Sequence, residues 1–231
     1  MYVAITGDIV NSKDLDKNQR DFVFSEIRKG FSTISQEAEF VFPPEFLRGD
    51  SFQCVFKEIG KTLQMTLLFK SIFKMQASDL KNNSLVKDSK PRKNWRSYKN
   101  LDIRLSAGIG DIEYLKDSIS LSDGTALHRS GRNLDKMKQK SQKTIITTGD
   151  EALNRELEVE LKLLDAITDK WTPMSAEVVF YLLQQKKETE IAPILSISQS
   201  AVNQRKQTAN WDAISLLLKH FEYLAQTHLL K

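Results

Sequence analysis

Two aspartates stand near the ends of predicted strands within the first fifty residues. Asp8 lies in an apolar run at 2–10, and Asp50 lies in the short connection between runs at 39–47 and 51–57. In a β-α-β-β arrangement the first and third strands are often neighbours, which would bring the two carboxylates to one edge of the sheet. Oxygen donors without softer ligands suit Mg²⁺ or Mn²⁺, and such ions can clamp a phosphoryl group during its transfer. Each aspartate taken singly, in a Gly-Asp pair, is more often a turn residue than a ligand.

The segments that would hold these carboxylates alternate between strands and amphipathic helices. Apolar residues three and four apart predict helices, and alternating apolar residues predict strands. The order begins β-α-β-β-α-β, the ferredoxin-like split pattern, and predicts an α+β fold whose sheet carries helices on one face. The predicted strands are 2–10, 39–47, 51–57, 101–112 and 143–148, and the predicted helices of this part are 18–38, 59–77, 125–138 and 150–167.

Residues 79–100 differ in composition from the segments around them. Lysine and arginine are interspersed there with asparagine, serine and one proline. This composition predicts a long surface loop. It leaves open whether the loop is a solvated insertion or a basic arm that touches DNA or a phosphate-rich ligand.

The composition is that of an ordinary globular protein with a mildly basic balance. The chain has 231 residues, 40% of them hydrophobic, a formal net charge of +4 and one cysteine, Cys54. A single cysteine excludes an internal disulfide framework and a cysteine-based zinc site. A strand begins at residue 2 without a signal-peptide pattern before it, and no apolar run reaches the ~18 residues that a membrane span needs. A cytoplasmic protein without a membrane partner is expected.

Three segments resemble the core of the class III nucleotide cyclases in order and spacing. They are Gly-Asp-Ile-Val-Asn-Ser at 7–12, Leu-Arg-Gly-Asp-Ser-Phe-Gln at 47–53 and Ile-Arg-Leu-Ser-Ala-Gly-Ile-Gly at 103–110. In those enzymes two aspartates hold two metal ions, and the carbonyl of an isoleucine assists. The resemblance implies a nucleotide-cyclase-like sheet over residues 1–148.

The resemblance also implies a metal and nucleotide site. Asp8 and Asp50 match the two metal-binding aspartates, and Ile9 matches the assisting isoleucine. A nucleotide with Mg²⁺ or Mn²⁺ is therefore expected beside Ile9, Ser12 and Gly49.

A predicted helix at 125–138 resembles the cyclase helix that presents an asparagine and an arginine four residues apart, on one face. His128 stands at the asparagine position and Arg132 at the arginine position, which implies that the two act on the reacting phosphate and the ribose. Phe46 and Leu121 stand where cyclases carry groups that hydrogen-bond the purine. A site without those groups loses discrimination for the base, so metal and phosphate binding is expected more than cyclisation.

A narrower resemblance covers nearly the whole chain. Gly-Asp-Ile-Val-x-Ser at 7–12, Gly-Asp-x-Phe-Gln at 49–53 and Asp-Gly-x-Ala at 123–126, with a C-terminal helix-turn-helix, resemble the SatD family. The resemblance implies a cyclase-like fold joined to a DNA-binding tail. Ser51 stands where members of that family usually carry a glutamate, which removes one candidate metal ligand.

Residues 169–231 are predicted to form a small all-α domain after a first domain of residues 1–168. Ala192, Ile197 and Val202 meet the needs of a helix-turn-helix, which are a small residue in the first helix, an apolar residue in the turn and an apolar residue in the second helix. The pattern resembles sigma-factor region four and LuxR-type units. It leaves open a helical hairpin that serves only dimer packing.

In a helix-turn-helix the second helix enters the major groove of DNA. Glutamine and asparagine side chains there prefer adenine, while arginine, lysine and hydroxyl groups contact phosphates. A homodimer is expected because a single unit of this kind binds DNA with moderate affinity. The candidate base-reading residues are Gln199, Asn203 and Gln204, and the candidate phosphate contacts are Ser198, Ser200, Arg205 and Lys206.

Three functions remain open on these grounds. One is a DNA-binding transcriptional regulator whose first domain binds a nucleotide and metal as a sensor, or is a degenerate cyclase. Another is an active metal-dependent nucleotidyl cyclase with a DNA-binding tail, and a plain protein-contact module is a third possibility. His220 and His228, on the last predicted helix, suggest no site.

Overall fold

A computed structural model of the chain describes residues 1–10, 12–82, 102–137 and 141–230. The predicted loop at 79–100 lies outside the described residues from residue 83 onward. The described strands are β1 (Tyr2–Val10), β2 (Phe40–Arg48), β3 (Ser51–Phe56), β4 (Asp102–Gly110) and β5 (Thr144–Thr147), and the described α-helices are α1 (Lys17–Thr33), α2 (Thr62–Asn82), α3 (Thr125–Met137), α4 (Glu151–Thr168), α5 (Pro173–Leu183), α6 (Glu188–Ile194), α7 (Gln199–Thr208) and α8 (Trp211–His228).

The five strands form one sheet in the order β2-β3-β1-β4-β5. β1 runs antiparallel to both β3 and β4, β2 runs antiparallel to β3, and β5 runs parallel to β4. β2 is an edge strand, and its register with β3 shifts around Pro43 and Pro44, which lack the N–H that a central strand needs. The α+β class and the split β-α-β-β-α-β order are confirmed, and so is the pairing of the first strand with the third.

The two faces of the sheet carry different helices. Val3 and Ile5 point into the main apolar core with α1, α2 and α4, whereas Ala4 points to the other face and packs with Ala126 of α3. A β-carbon at Gly108 would lie 2.2 Å from the carbonyl oxygen of Ala126, so this close approach of α3 to β4 requires glycine. The sequence predicted helices on one face, and the structure adds α3 on the opposite one.

The C-terminal helices share the core of the sheet. Trp171, Phe180 and Phe221 belong to the same buried apolar cluster as the residues under β1 and β3. The indole N–H of Trp171 donates to the carbonyl of Ala209 over 3.0 Å, which ties the start of the tail to the end of α7. The predicted boundary at residue 168 is therefore bridged by a continuous apolar interior.

No helix among the described residues has both the length and the apolar character needed to cross a lipid bilayer.

Candidate functional site

Asp8 lies near the end of β1 and is buried, with 7% of its surface exposed. In the register of the sheet it stands opposite Ser51 on β3 and Arg104 on β4. The guanidinium Nη1 of Arg104 donates to Oδ2 of Asp8 over 3.0 Å, and the Ser51 hydroxyl donates to Oδ1 over 3.3 Å. One cation, that of Arg104, already neutralises this carboxylate.

Asp50 lies in the tight turn that joins β2 to β3. Gly49 precedes it with a φ of +62°, a left-handed conformation that glycine adopts without strain. The buried hydroxyl of Ser12 donates to the Asp50 carboxylate, and the Ile9 N–H donates to the Asp50 carbonyl over 3.3 Å. Four predicted site residues thus lie in this turn or form hydrogen bonds to it: Ile9, Ser12, Gly49 and Asp50.

Asp8 and Asp50 therefore lie at the same end of the neighbouring strands β1 and β3, as expected from strand order, while the approach of their carboxylates stays a prediction. Asp8 pairs with Ser51, which is the residue next to Asp50. Ser51 binds the Asp8 carboxylate and Ser12 binds that of Asp50, and carboxylate and hydroxyl oxygens of this kind suit a hard divalent cation. Arg104 competes for the same charge, so the metal site remains a prediction.

α3 turns the two predicted catalytic side chains away from the sheet. Its buried face consists of Ala126, Ser130, Leu134 and Met137, while His128 and Arg132 are exposed. Nε2 of His128 lies 2.9 Å from the Asp123 carboxylate, where both side chains are more than half exposed. Within the described part of the chain no hydrogen bond or ion pair joins either residue to Asp8 or Asp50.

The contact of α3 with β1 lies on the face of the sheet that carries Asp8. The Thr6 hydroxyl donates to the Ser130 hydroxyl over 3.1 Å, and Thr6 precedes Asp8 by two residues along the strand. Side chains two residues apart on a strand share a face. α3 is therefore a near neighbour of the carboxylate edge, although His128 and Arg132 point elsewhere.

Phe46 and Leu121, which stand where cyclases hydrogen-bond the purine, differ in their surroundings. The ring centroid of Phe46 lies 4.5 Å from that of Phe24, and its ring also packs near Phe31 and Phe52. Leu121 is 69% exposed. Phe46 thus belongs to the margin of the core, and its packing accounts for an apolar residue at that position.

In the C-terminal part, α7 packs on α5 and α6 through a small apolar cluster. Val178, Ile191 and Val202 are fully buried there, and Ala192 and Ile197 pack against them. Ser198 caps α7 by accepting from the N–H of Ala201. The apolar pattern that predicted this helix pair corresponds to these contacts.

The predicted DNA-contacting residues divide into an exposed set and a paired set. Arg205 Nη1 lies 3.1 Å from the Glu177 carboxylate, and Lys206 Nζ lies 3.0 Å from that of Glu188. The Asn203 amide also reaches Glu188, over 3.5 Å. The exposed set, at the N-terminal end and outer side of α7, is Ser198, Gln199, Ser200 and Gln204.

A buried ion pair joins α2 to α4, and the sequence patterns did not predict it. Lys70 is fully buried, and its Nζ lies 2.9 Å from Oδ1 of Asp165 and 3.0 Å from the Thr144 hydroxyl. Asp165 also accepts from the backbone N–H groups of Lys143 and Thr144. A lone lysine within an apolar helix face is the one sequence signal that could have indicated it.

A second charged cluster anchors the start of β4. Asp102 lies 3.1 Å from Lys74 Nζ and 2.9 Å from Lys143 Nζ. Burial opposes the ionisation of Asp102, but Lys70, Lys74 and Lys143 outweigh it and hold the pKa of this carboxyl below its usual value. Burial also opposes the charge on Lys143, but Asp169 and Asp102 outweigh it and raise the pKa of that ammonium group.

His220 lies in a cluster that the sequence did not indicate. Its Nε2 lies 3.5 Å from Oε1 of Glu156 and 3.1 Å from Oε1 of Glu160, both on α4. Burial raises the pKa of the Glu160 carboxyl, and His220 opposes that shift in part. The second histidine of α8, His228, pairs among the described residues with the Asp150 carboxylate alone, at 3.4 Å.

No protein-family model matches the chain, and no curated protein matches it. Among solved structures, two described as a bacterial light-regulated adenylyl cyclase are similar, with 14% and 13% identity and TM-scores of 0.38 and 0.36. Each match covers 63% of this chain and 42% of the cyclase chain. Similarity at this level carries no argument about activity, and the resemblance to the SatD family rests on its motifs alone.

Proposed function

We propose that this protein is a DNA-binding transcriptional regulator whose N-terminal α+β domain acts as a sensor. The observation that carries the proposal is the outer surface of α7, where polar uncharged side chains are exposed while Val202 anchors the helix on α5 and α6. Glutamine side chains at the start of such a helix can form paired hydrogen bonds with adenine in the major groove. The SatD-like motifs support the same combination of a cyclase-like domain with a DNA-binding tail.

The sensor part of the proposal concerns a nucleotide held together with Mg²⁺ or Mn²⁺ at Asp8 and Asp50. The donor chemistry supports it, because carboxylate and hydroxyl oxygens are the ligands that these ions prefer. A cation at Asp8 has to compete with Arg104 for Oδ2. Binding would therefore be coupled to a movement of Arg104, which suits a sensor better than a catalytic site that must be ready before substrate arrives.

Phosphate contacts are proposed for Arg205 and Lys206, both of which are paired with glutamates in the free protein. These pairs are partly exposed, and such pairs contribute only ~0–1 kcal/mol, so DNA phosphates can exchange for the glutamates at small cost. A homodimer is proposed as well, because two α7 helices on neighbouring half-sites raise affinity beyond that of one.

The test begins with selection of duplexes from a random DNA library, followed by fluorescence anisotropy on the enriched sequence. Gln199→Ala combined with Gln204→Ala should weaken binding about tenfold or more, because each well-placed pair with a base contributes ~1–3 kcal/mol. Gln36→Ala, an exposed glutamine beyond α1, is the control and should bind like the unchanged protein. Absence of enrichment, or equal binding by the double variant, would overturn the proposal.

Cyclase activity is the competing function, and it has a direct test. The protein is incubated with each nucleoside triphosphate and Mn²⁺, and a cyclic product is sought that disappears in Asp8→Asn. Such a product would replace the sensor with an enzyme and leave the role of α7 to the DNA experiment.

A further inference from the structure

Glu156, Glu160 and His220 converge at the junction between α4 and α8. One ligand atom from each lies within 4.8 Å of the others, and the ligand atoms come from two helices that are about sixty residues apart in sequence. Glu156 and Glu160 are four residues apart on α4, so they share a face of that helix. His220 reaches both glutamates from α8.

The two separations from His220 match those of neighbouring ligands around a small divalent cation, and all three ligand atoms lie within 4.8 Å of one another. Nε2 of His220 lies 3.5 Å and 3.1 Å from the two glutamate oxygens. Zinc bonds of about 2.0–2.1 Å in tetrahedral directions place neighbouring ligand atoms about 3.3–3.4 Å apart. The cluster therefore needs little rearrangement to hold a cation at its centre.

The cluster carries more negative than positive charge, and a bound cation would balance it. Two carboxylates face one imidazole, which carries at most a single positive charge, and no lysine or arginine among the described residues forms an ion pair with either glutamate. Oε2 of Glu160 is buried and accepts no hydrogen bond from any residue that the structure describes. A buried carboxylate oxygen without a partner is costly, and a metal ion would satisfy it.

We propose that Glu156, Glu160 and His220 form a binding site for a divalent transition-metal ion, Zn²⁺ in the first instance. A nitrogen donor beside two carboxylates selects such an ion over Mg²⁺, which prefers oxygen donors alone. Three protein ligands leave one coordination position for water, and the half-exposed side chains of Glu156 and His220 leave that position open to solvent. The ion would fasten the last helix of the tail to the helix that follows the sheet.

The test is zinc binding to the full chain after removal of metal with a chelator, measured by isothermal titration calorimetry. One equivalent should bind, and His220→Gln should weaken that binding by at least about 100-fold, since loss of even an indirect partner of a metal ligand costs 10- to 100-fold. His228→Gln is the matched control, because this histidine is on the same helix, is equally exposed and faces a single carboxylate. It should leave zinc affinity unchanged.

A second readout separates this site from any other. Co²⁺ in place of Zn²⁺ should give visible d–d absorption of a low-symmetry, four-coordinate ion, and the bands should be lost in His220→Gln and retained in Asp8→Asn. Circular dichroism in the presence of chelator verifies that the variants are folded. Failure of the unchanged protein to bind Zn²⁺, or equal binding by His220→Gln, would overturn the proposal, as would preferential binding of Mg²⁺ at these residues.

Discussion

Arg104 and Asp8 form an ion pair across the β1–β4 ladder, with Nη1 and Oδ2 3.0 Å apart. The pair lies at the edge of the sheet where Asp50 also lies. The Arg104 guanidinium already balances the charge of the Asp8 carboxylate, so a metal ion at Oδ2 has to compete with it. The proposed metal site is therefore expected to depend on the state of this pair.

Removal of Arg104 should make the carboxylate edge a better metal site. Arg104→Gln leaves Asp8 without its cation, so we expect Mn²⁺ affinity to rise up to about fivefold, in line with a partly exposed charge pair. Electron paramagnetic resonance of free and bound Mn²⁺ measures the change. Asp8→Asn should abolish the gain, and unaltered Mn²⁺ affinity in Arg104→Gln would contradict a metal site at this edge.

Release of Lys206 from its glutamate should strengthen DNA binding. Glu188→Gln removes the carboxylate that holds Lys206 and Asn203, so we expect up to about fivefold tighter binding to the selected duplex and a steeper dependence on salt. Anisotropy titrations at several salt concentrations measure both. Glu151→Gln, exposed at the start of α4, changes the net charge equally and controls for it. Weaker binding by Glu188→Gln would argue that the pair shapes the DNA surface.

The buried pair of Lys70 and Asp165 should be costly to break from one side. Lys70→Met leaves the Asp165 carboxylate buried without its cation, so we expect a loss of about 3–5 kcal/mol in the free energy of unfolding. Urea denaturation measures the loss. Lys29→Met, which breaks an exposed pair with Glu26, should change stability by less than about 1 kcal/mol. Similar small losses in both variants would contradict the expected cost of leaving the Asp165 carboxylate buried without its cation.

Stability at acid pH should depend on Asp102. Its pKa in the folded protein lies below its usual value, whereas in the unfolded chain it returns to about 3.9. The contribution to stability is therefore fully present above the unfolded value and is lost as the pH falls through the folded one. Asp102→Asn should be less stable than the unchanged protein at pH 7, and the difference should shrink steadily below about pH 4.

Urea denaturation at a series of pH values gives this difference. Asp21→Asn, which replaces an exposed aspartate on α1, serves as the control and should change stability only slightly. A difference for Asp102→Asn that stays constant down to pH 2 would contradict the role assigned to the three lysines around it.

Local patterns predicted the elements well and the partners of charged residues poorly. Alternation and turn residues act over a few positions, so they predicted the strands. The order of those strands then predicted that Asp8 and Asp50 lie at the same end of neighbouring strands. Arg104 as the partner of Asp8 is ninety-six positions away along the chain, and nothing in the periodicity of either strand indicates it. His220 illustrates the same limit, since its two glutamates lie on a helix predicted only from its leucines.

The faces of the sheet were harder to predict than its strands. In β4 apolar residues alternate with polar or small ones, which is typical of a strand covered on one side, yet the strand is buried over nearly its whole length. Gly108 is the residue that allows α3 to approach so closely. A glycine within a strand pattern indicates that another part of the backbone comes close, but it does not indicate which element does so.

The apolar cluster that runs from β1 to Trp171 and Phe221 has a consequence for how the protein can respond to a ligand. A tail attached by a loose tether could swing freely, but one that shares its interior with the sheet can shift only if packed side chains shift together. Cleavage of the chain at residue 168 would expose apolar surface on both fragments. Under the proposed sensor function, a signal from Asp8 and Asp50 to α7 would require a small displacement of packed helices, among which α2 packs directly on α5.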